Sequence, residues 1–181
     1  MKTAVVVVDM INDFVTGVFK SQRALKIIPN VRRLLDFARR EKIPVIYASD
    51  AHLPDVENEF GVWPPHAVAG TWGAQIIDEL KPEKGDYVIQ KRKYSAFQET
   101  ELDQILRELR VDTMIIMGLV TDICVQHTTA DAFFRGYRTV VPQDCVEASS
   151  EQIQTVAIDY MKKTYGSEIT NLNEILKKKW S

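Results

Sequence analysis

Cysteine is scarce in this chain of 181 residues, which holds only Cys124 and Cys145. Two thiols are too few for a disulfide framework, so both are expected to be free and the protein cytoplasmic. Long apolar runs are missing too: no segment approaches the roughly 20 residues that a membrane-spanning helix needs. The opening MKTAVVVVDM is the nearest thing to a leader, but its apolar run stops at Asp9, short of a signal core and without a small-residue cleavage site. An excess of one charge is also absent. The formal net charge is -2, from 23 basic and 25 acidic residues, and the two signs are interleaved. That leaves no basic face for nucleic acid and no acidic tail, so a small molecule is the expected partner. No repeat, low-complexity tract or linker divides the sequence. Its length is that of one ordinary domain able to bury its own core, and residues 1–181 are read as one domain.

What is present is an alternation. Short β-branched runs such as TAVVVVD, IPVIYASD, YVIQK, TMIIMG and YRTVVPQD are interleaved with amphipathic stretches such as VRRLLDFARRE, ELDQILRELR and SSEQIQTVAIDYMKK. This pattern predicts βαβ units around a mainly parallel sheet. The strand runs are apolar on both sides, so both faces of the sheet should be covered, giving a three-layer α/β/α sandwich. One region breaks the rhythm, ASDAHLPDVENEFGVWPPHAVAGTWGAQ over residues 48–75, which holds two of the three histidines. An irregular stretch that long in a small domain is usually functional or disordered, and Trp63, His66 and Trp72 argue against disorder.

Ligands of open α/β sheets sit beyond the carboxyl ends of the strands. The first run delivers Asp9 there, the second Asp50 with His52 close behind, the third Lys91, and the fourth leads into the turn before Cys124. Each residue alone has a plain structural reading: a buried thiol, a strand-end aspartate capping a turn, a solvated base in KRKYS. Position favours chemistry for the set. With Thr121 as N-cap, Cys124 would lie in a first helical turn, where free N–H groups favour a thiolate and can receive an oxyanion. His127, three residues on, is a weaker partner than Asp9, Cys145 is read as structural, and Asp13 as a turn or helix-start residue. Asp50, His52 and His66 form a carboxylate and two imidazoles suited to zinc, iron or manganese.

The ordered motifs VVVVDMINDF, SDAH, WPPHAVAGT, KRKYSAF and GLVTDICVQHTTADAFFRGY resemble those of the isochorismatase-like cysteine hydrolases, a family that includes nicotinamidases and N-carbamoylsarcosine amidases. The resemblance implies Asp9 as general base, Lys91 as the cation beside it and Cys124 as nucleophile. It also implies a cis peptide between Leu119 and Val120, with the N–H groups of Val120 and Cys124 as oxyanion hole. Phe14 and Trp63, with Leu119 and Val120, would line the substrate slot. A divalent metal, zinc first, would sit on Asp50, His52 and His66, and relatives form homo-oligomers. The compact KRKYSAF element is closer to the isochorismatase and carbamoylsarcosine branches than to nicotinamidases. Glu57 and Glu59 stand where some nicotinamidases carry a further histidine. The expected reaction is therefore hydrolysis of a small carboxamide, nicotinamide first, through a thioester. An N-carbamoyl amino acid comes second and a vinyl ether of the isochorismate type third, with a catalytically idle binding subunit as the alternative of another class.

Overall fold

The run TAVVVV forms β1 (Thr3–Val8), in which every residue is buried, as a strand covered on both faces requires. The computed structural model describes residues 2–180. β2 (Val45–Asp50) and β4 (Thr113–Leu119) are buried along their whole length as well, and β3 (Tyr87–Lys91), β5 (Arg138–Pro142), β6 (Val146–Glu147) and β7 (Glu168–Thr170) complete a seven-stranded sheet among the described residues. The order is β3-β2-β1-β4-β5-β7, with β6 pairing the end of β4, and each named pair is parallel. Helices flank this sheet, α2 (Gln22–Arg40) packing with α6 (Leu172–Lys177), and α4 (Gln126–Phe134) with α5 (Glu151–Tyr165), while α3 (Leu102–Glu108) leads into β4. The expected three-layer α/β/α sandwich is the observed one. Among the described residues no helix is long and apolar enough to cross a membrane.

α2 begins nine residues earlier than the stretch VRRLLDFARRE suggests, because Pro29 lies inside it. The Ser21 hydroxyl accepts the Ala24 N–H at 3.0 Å, and Ala24, Ile27, Val31, Leu34 and Leu35 put one apolar stripe on the core. Cap and stripe together outweigh the missing proline N–H.

The chain moves outward from β1 to β2 and β3, then crosses back to place β4 on the other side of β1. That reversal makes a crevice at the carboxyl ends of β1 and β4. Gly118 lets the two strands meet there: its φ is +114°, and a Cβ would stand 2.0 Å from the Val8 carbonyl oxygen. No side chain can be added at that position without moving backbone.

Candidate active site

Four strand ends converge on one ammonium group. Lys91 Nζ lies 2.7 Å from Asp9 Oδ2, 2.7 Å from Asp50 Oδ1, 3.1 Å from the Lys93 carbonyl and 3.6 Å from Cys124 Sγ. Asp9, Asp50, Lys91 and Cys124 are all buried. Sheet register fixes the arrangement: Asp50 stands opposite Lys91 across β2 and β3, and the Asp50 N–H donates to Asp9 Oδ1 at 2.8 Å. Asp9 itself has φ +51°, a left-handed conformation that costs a non-glycine residue on the order of 1–3 kcal/mol and collects at functional sites. A buried lysine held between two carboxylates is worth keeping only where its charge is used, since ion pairs this deep gain little net stability.

Electrostatics orders the protons. Burial would lower the Lys91 ammonium, but Asp50 and Asp9 outweigh it and hold Lys91 well above its ordinary value. Burial, then the neighbouring Asp50 charge, push Asp9 up to about 6 against the pull of Lys91. Burial also pushes the Cys124 thiol well above its ordinary value, with Lys91 pulling down and both carboxylates pushing up. The expected resting thiolate is therefore not what the surroundings favour, because the Lys91 charge is already balanced by two carboxylates. These surroundings disfavour the bare thiolate and put a carboxylate, Asp9, beside the sulfur.

The local backbone also differs from the expected helix start. Residues Thr121–Val125 form one π-helical turn whose N-cap is Val120, without a side-chain cap, and α4 continues from Gln126. Thr121 lies inside that turn because the five-residue repeat begins directly after β4. The peptide between Leu119 and Val120 is cis. Leu119 is buried, and Val120 packs against the core. His127 is not part of the cluster: it is exposed, with Nδ1 2.7 Å from the Ile123 carbonyl and its ring against Tyr94. Cys145 is buried away from these groups, its sulfur 3.9 Å from Asp144 Oδ1.

A second cluster adjoins the first. Asp50, His52, Glu59 and His66 each offer a ligand atom, all within 4.8 Å of one another. The irregular chain after β2 folds back beside it, the His52 N–H donating to the Ala67 carbonyl at 2.8 Å and the Ala69 N–H to the His52 carbonyl at 2.9 Å. Asp13, on the short helix α1 (Asn12–Val15), is the clamp: its Oδ2 accepts the Ala67 N–H at 2.8 Å and its Oδ1 the Val18 N–H at 3.3 Å. Asp13 therefore does more than start a helix. Gly73 leaves the room it needs, since a Cβ there would lie 2.0 Å from Asp13 Oδ2.

These residues fit a divalent cation. His66 Nδ1 lies 2.8 Å from the Pro64 carbonyl, which can only accept, so Nδ1 donates there and Nε2, 3.6 Å from Glu59 Oε1, is the ring atom that could face a cation. Both ring nitrogens of His52 and Asp50 Oδ2 are buried with no hydrogen-bond partner among the described residues. Buried polar atoms are seldom left so, and a carboxylate, two imidazoles and a second carboxylate suit zinc, iron or manganese. Glu57, also buried, presents Oε1 to Arg92 Nε at 2.6 Å, to the Leu53 N–H at 3.1 Å and to His52 Nδ1 at 3.8 Å. Burial raises the Glu57 carboxyl, but the Arg92 guanidinium holds it below its ordinary value. Around His66 the rings of Phe14, Phe19 and Phe60 lie at 5.6, 4.9 and 5.7 Å, and Trp63 meets Phe19 edge-on while donating to Tyr94 Oη at 3.1 Å. Phe14 and Trp63 were expected to line a substrate slot, and the structure places their rings in this aromatic group. Phe19, Phe60 and Tyr94 were not expected, and their only sequence signal is aromatic residues near the motifs.

The fold and clusters define a parallel α/β protein with a buried cysteine, lysine and carboxylates at the switch point of its sheet. An isochorismatase domain model matches residues 3–174. The N-carbamoylsarcosine amidase of Thermoplasma acidophilum is 40% identical in its crystal structure, covering 96% of this chain and 98% of that one with a TM-score of 0.90. The isochorismatase family protein YaaI of Bacillus subtilis is 32% identical over 97% of each chain. A pyrazinamidase of Pyrococcus horikoshii, solved in complex with zinc, is 28% identical with a TM-score of 0.87, covering 94% of this chain and 99% of that one. The chain belongs to the isochorismatase family and is a hydrolase of that family.

Proposed function

We propose that the protein is a cysteine amidohydrolase that cleaves the C–N bond of a small carboxamide. The observation that carries this reading is the meeting of Asp9, Asp50 and Cys124 around Lys91 Nζ. Asp9 takes the Cys124 proton as sulfur attacks the carbonyl carbon. The N–H groups of Val120 and Cys124 receive the oxyanion, and Lys91 keeps the negative charge of the pair balanced as the proton moves. Asp9 then gives its proton to the departing amine, leaving a thioester. Water enters and attacks the thioester carbonyl as Asp9 takes its proton; the C–S bond breaks, the acid leaves, and the Cys124 sulfur recovers the proton from Asp9.

Asp50, His52, Glu59 and His66 would hold a divalent metal, zinc first and iron or manganese as alternatives, supplying a Lewis-acid contact for a substrate heteroatom. The aromatic rings around His66 support a flat heteroaromatic amide such as nicotinamide. A second reading, an N-carbamoyl amino acid, is favoured by Arg92 and Lys93, which line a cleft of about 560 Å³ beside Tyr94 and Glu59 and could meet a substrate carboxylate. The test is ammonia release from nicotinamide, pyrazinamide and N-carbamoylsarcosine, with Cys124→Ala as control. Release that persists in that variant overturns the mechanism, and turnover of N-carbamoylsarcosine alone selects the second reading. The exposed rings of Phe133, Phe134 and Tyr160 support association of like chains, which light scattering checks.

A further inference from the structure

The opposite end of the sheet holds a cavity of about 760 Å³. Its walls come from the end of α2, the turn into β2, the stretch before β4 and the segment after α6. At about 3.3 Å per residue, the length of β1 alone separates it from Asp9 by roughly 20 Å. Ile43, Val111 and Leu176 give it an aliphatic floor beside Trp180, a buried ring anchored by a 2.9 Å hydrogen bond from its Nε1 to the Ile175 carbonyl.

Six cationic side chains and one acid line this cavity. Four of the six have internal uses. Lys2 Nζ donates to the Leu109 carbonyl at 3.0 Å, Arg40 lies 3.3 Å from Glu41, Lys177 lies 2.8 Å from Glu174, and Lys178 pairs with Glu168. Such cations are also welcome where α2 and α6 end, near the negative pole of each helix. Lys42 and Lys179 remain, and neither side chain has an ion-pair or hydrogen-bond partner among the described residues. Lys42 has φ +58°, just past the end of α2, a position where glycine would carry the backbone without strain. An amine is kept there at a local cost.

Two exposed cations without a described partner beside an apolar floor, in a chain whose net charge is -2, suit a ligand anionic at one end and apolar at the other. A bare inorganic ion would leave the floor uncovered. A duplex or a membrane surface would not enter a concavity. We propose that this cavity binds a small organic anion with an apolar body and a terminal carboxylate or phosphate. Its volume lies within the range of about 300–1,000 Å³ that small-molecule sites occupy.

The test is calorimetric titration of the full chain with octanoate, with adenosine monophosphate and with inorganic phosphate, repeated on the Lys42→Glu/Lys179→Glu double variant. At least one of the two organic anions should bind with one site per chain, and the one that binds identifies the carboxylate or the phosphate as the recognised end. The charge reversals should weaken it about tenfold or more, as the loss of charge-assisted hydrogen bonds does, with the circular dichroism spectrum unchanged. Failure of both organic anions to bind at millimolar concentration overturns the proposal. So does binding that the double variant leaves intact, inorganic phosphate binding as tightly as either, or a charge-dependent affinity found only for DNA or anionic vesicles.

Discussion

The two halves of the candidate site are built by different means. Asp9, Asp50, Lys91 and Cys124 stand at or just beyond strand ends, and the pairing of Asp50 with Lys91 and of Val8 with Gly118 sets their spacing. His52, Glu57, Glu59 and His66 ride on irregular chain between β2 and β3, held by side chains that catch backbone N–H groups, Asp13 on Ala67 and Glu57 on Leu53. A sheet edge can hold a lysine between two carboxylates because many ladder hydrogen bonds must fail before the spacing changes. A loop depends on a few clamps, so single substitutions should loosen it while the sheet stays folded.

The sharpest break comes from Cys124→Ala, which should lower amide hydrolysis by about 10⁴-fold or more, as loss of a nucleophile does. Its metal content and thermal midpoint should stay near those of the parent, and a large drop in either would mean that the halves are not separable. Lys91→Met comes next. It leaves Asp9 and Asp50 facing each other without a cation, and denaturant titration should show a loss of about 3–5 kcal/mol, as when a buried charge network loses one partner. On the loop side, Glu57→Gln should weaken metal binding about 10–100-fold in a chelator competition, the usual effect of altering a group behind a ligating histidine. Asp13→Ala should cost about 1–3 kcal/mol through the orphaned Ala67 N–H and should lower metal affinity in the same chelator competition.

The smallest effect is a pH dependence. Asp9 must be unprotonated to act as base, so with its value raised to about 6, kcat/KM should be flat above that pH and fall below it. The same shift acts on stability with a definite sign. Between its ordinary value of 3.8 and about 6 the folded chain holds this proton more tightly than the unfolded one, so this residue weakens the fold as pH rises through that window.

The comparison also explains what was legible in the sequence. Strand runs are short, continuous apolar stretches that end abruptly, so Asp9, Asp50 and Lys91 could be placed at the rim from pattern alone, and Cys124 just past it. The motif resemblance added the roles. Glu59 and the clamp made by Asp13 were missed as site residues because irregular chain has no period, and its contacts join residues such as Asp13 and Ala67 that are far apart in sequence. The Thr121 cap was misplaced by a π-helical turn, which leaves no mark in composition. That two carboxylates share the Lys91 charge beside Cys124 was not legible for another reason: only the three-dimensional count of charges reveals it.

Asp50 belongs to both halves at once, with Oδ1 on Lys91 and Oδ2 3.6 Å from His52 Nε2. A single carboxylate is thus a shared account for two cations. Whatever positive charge the histidine side draws from Oδ2 is charge that Oδ1 no longer offers to the ammonium, which then leans further toward Asp9 and the sulfur. The sulfur becomes a reporter: its alkylation rate should read out the loading of a site to which it contributes no ligand.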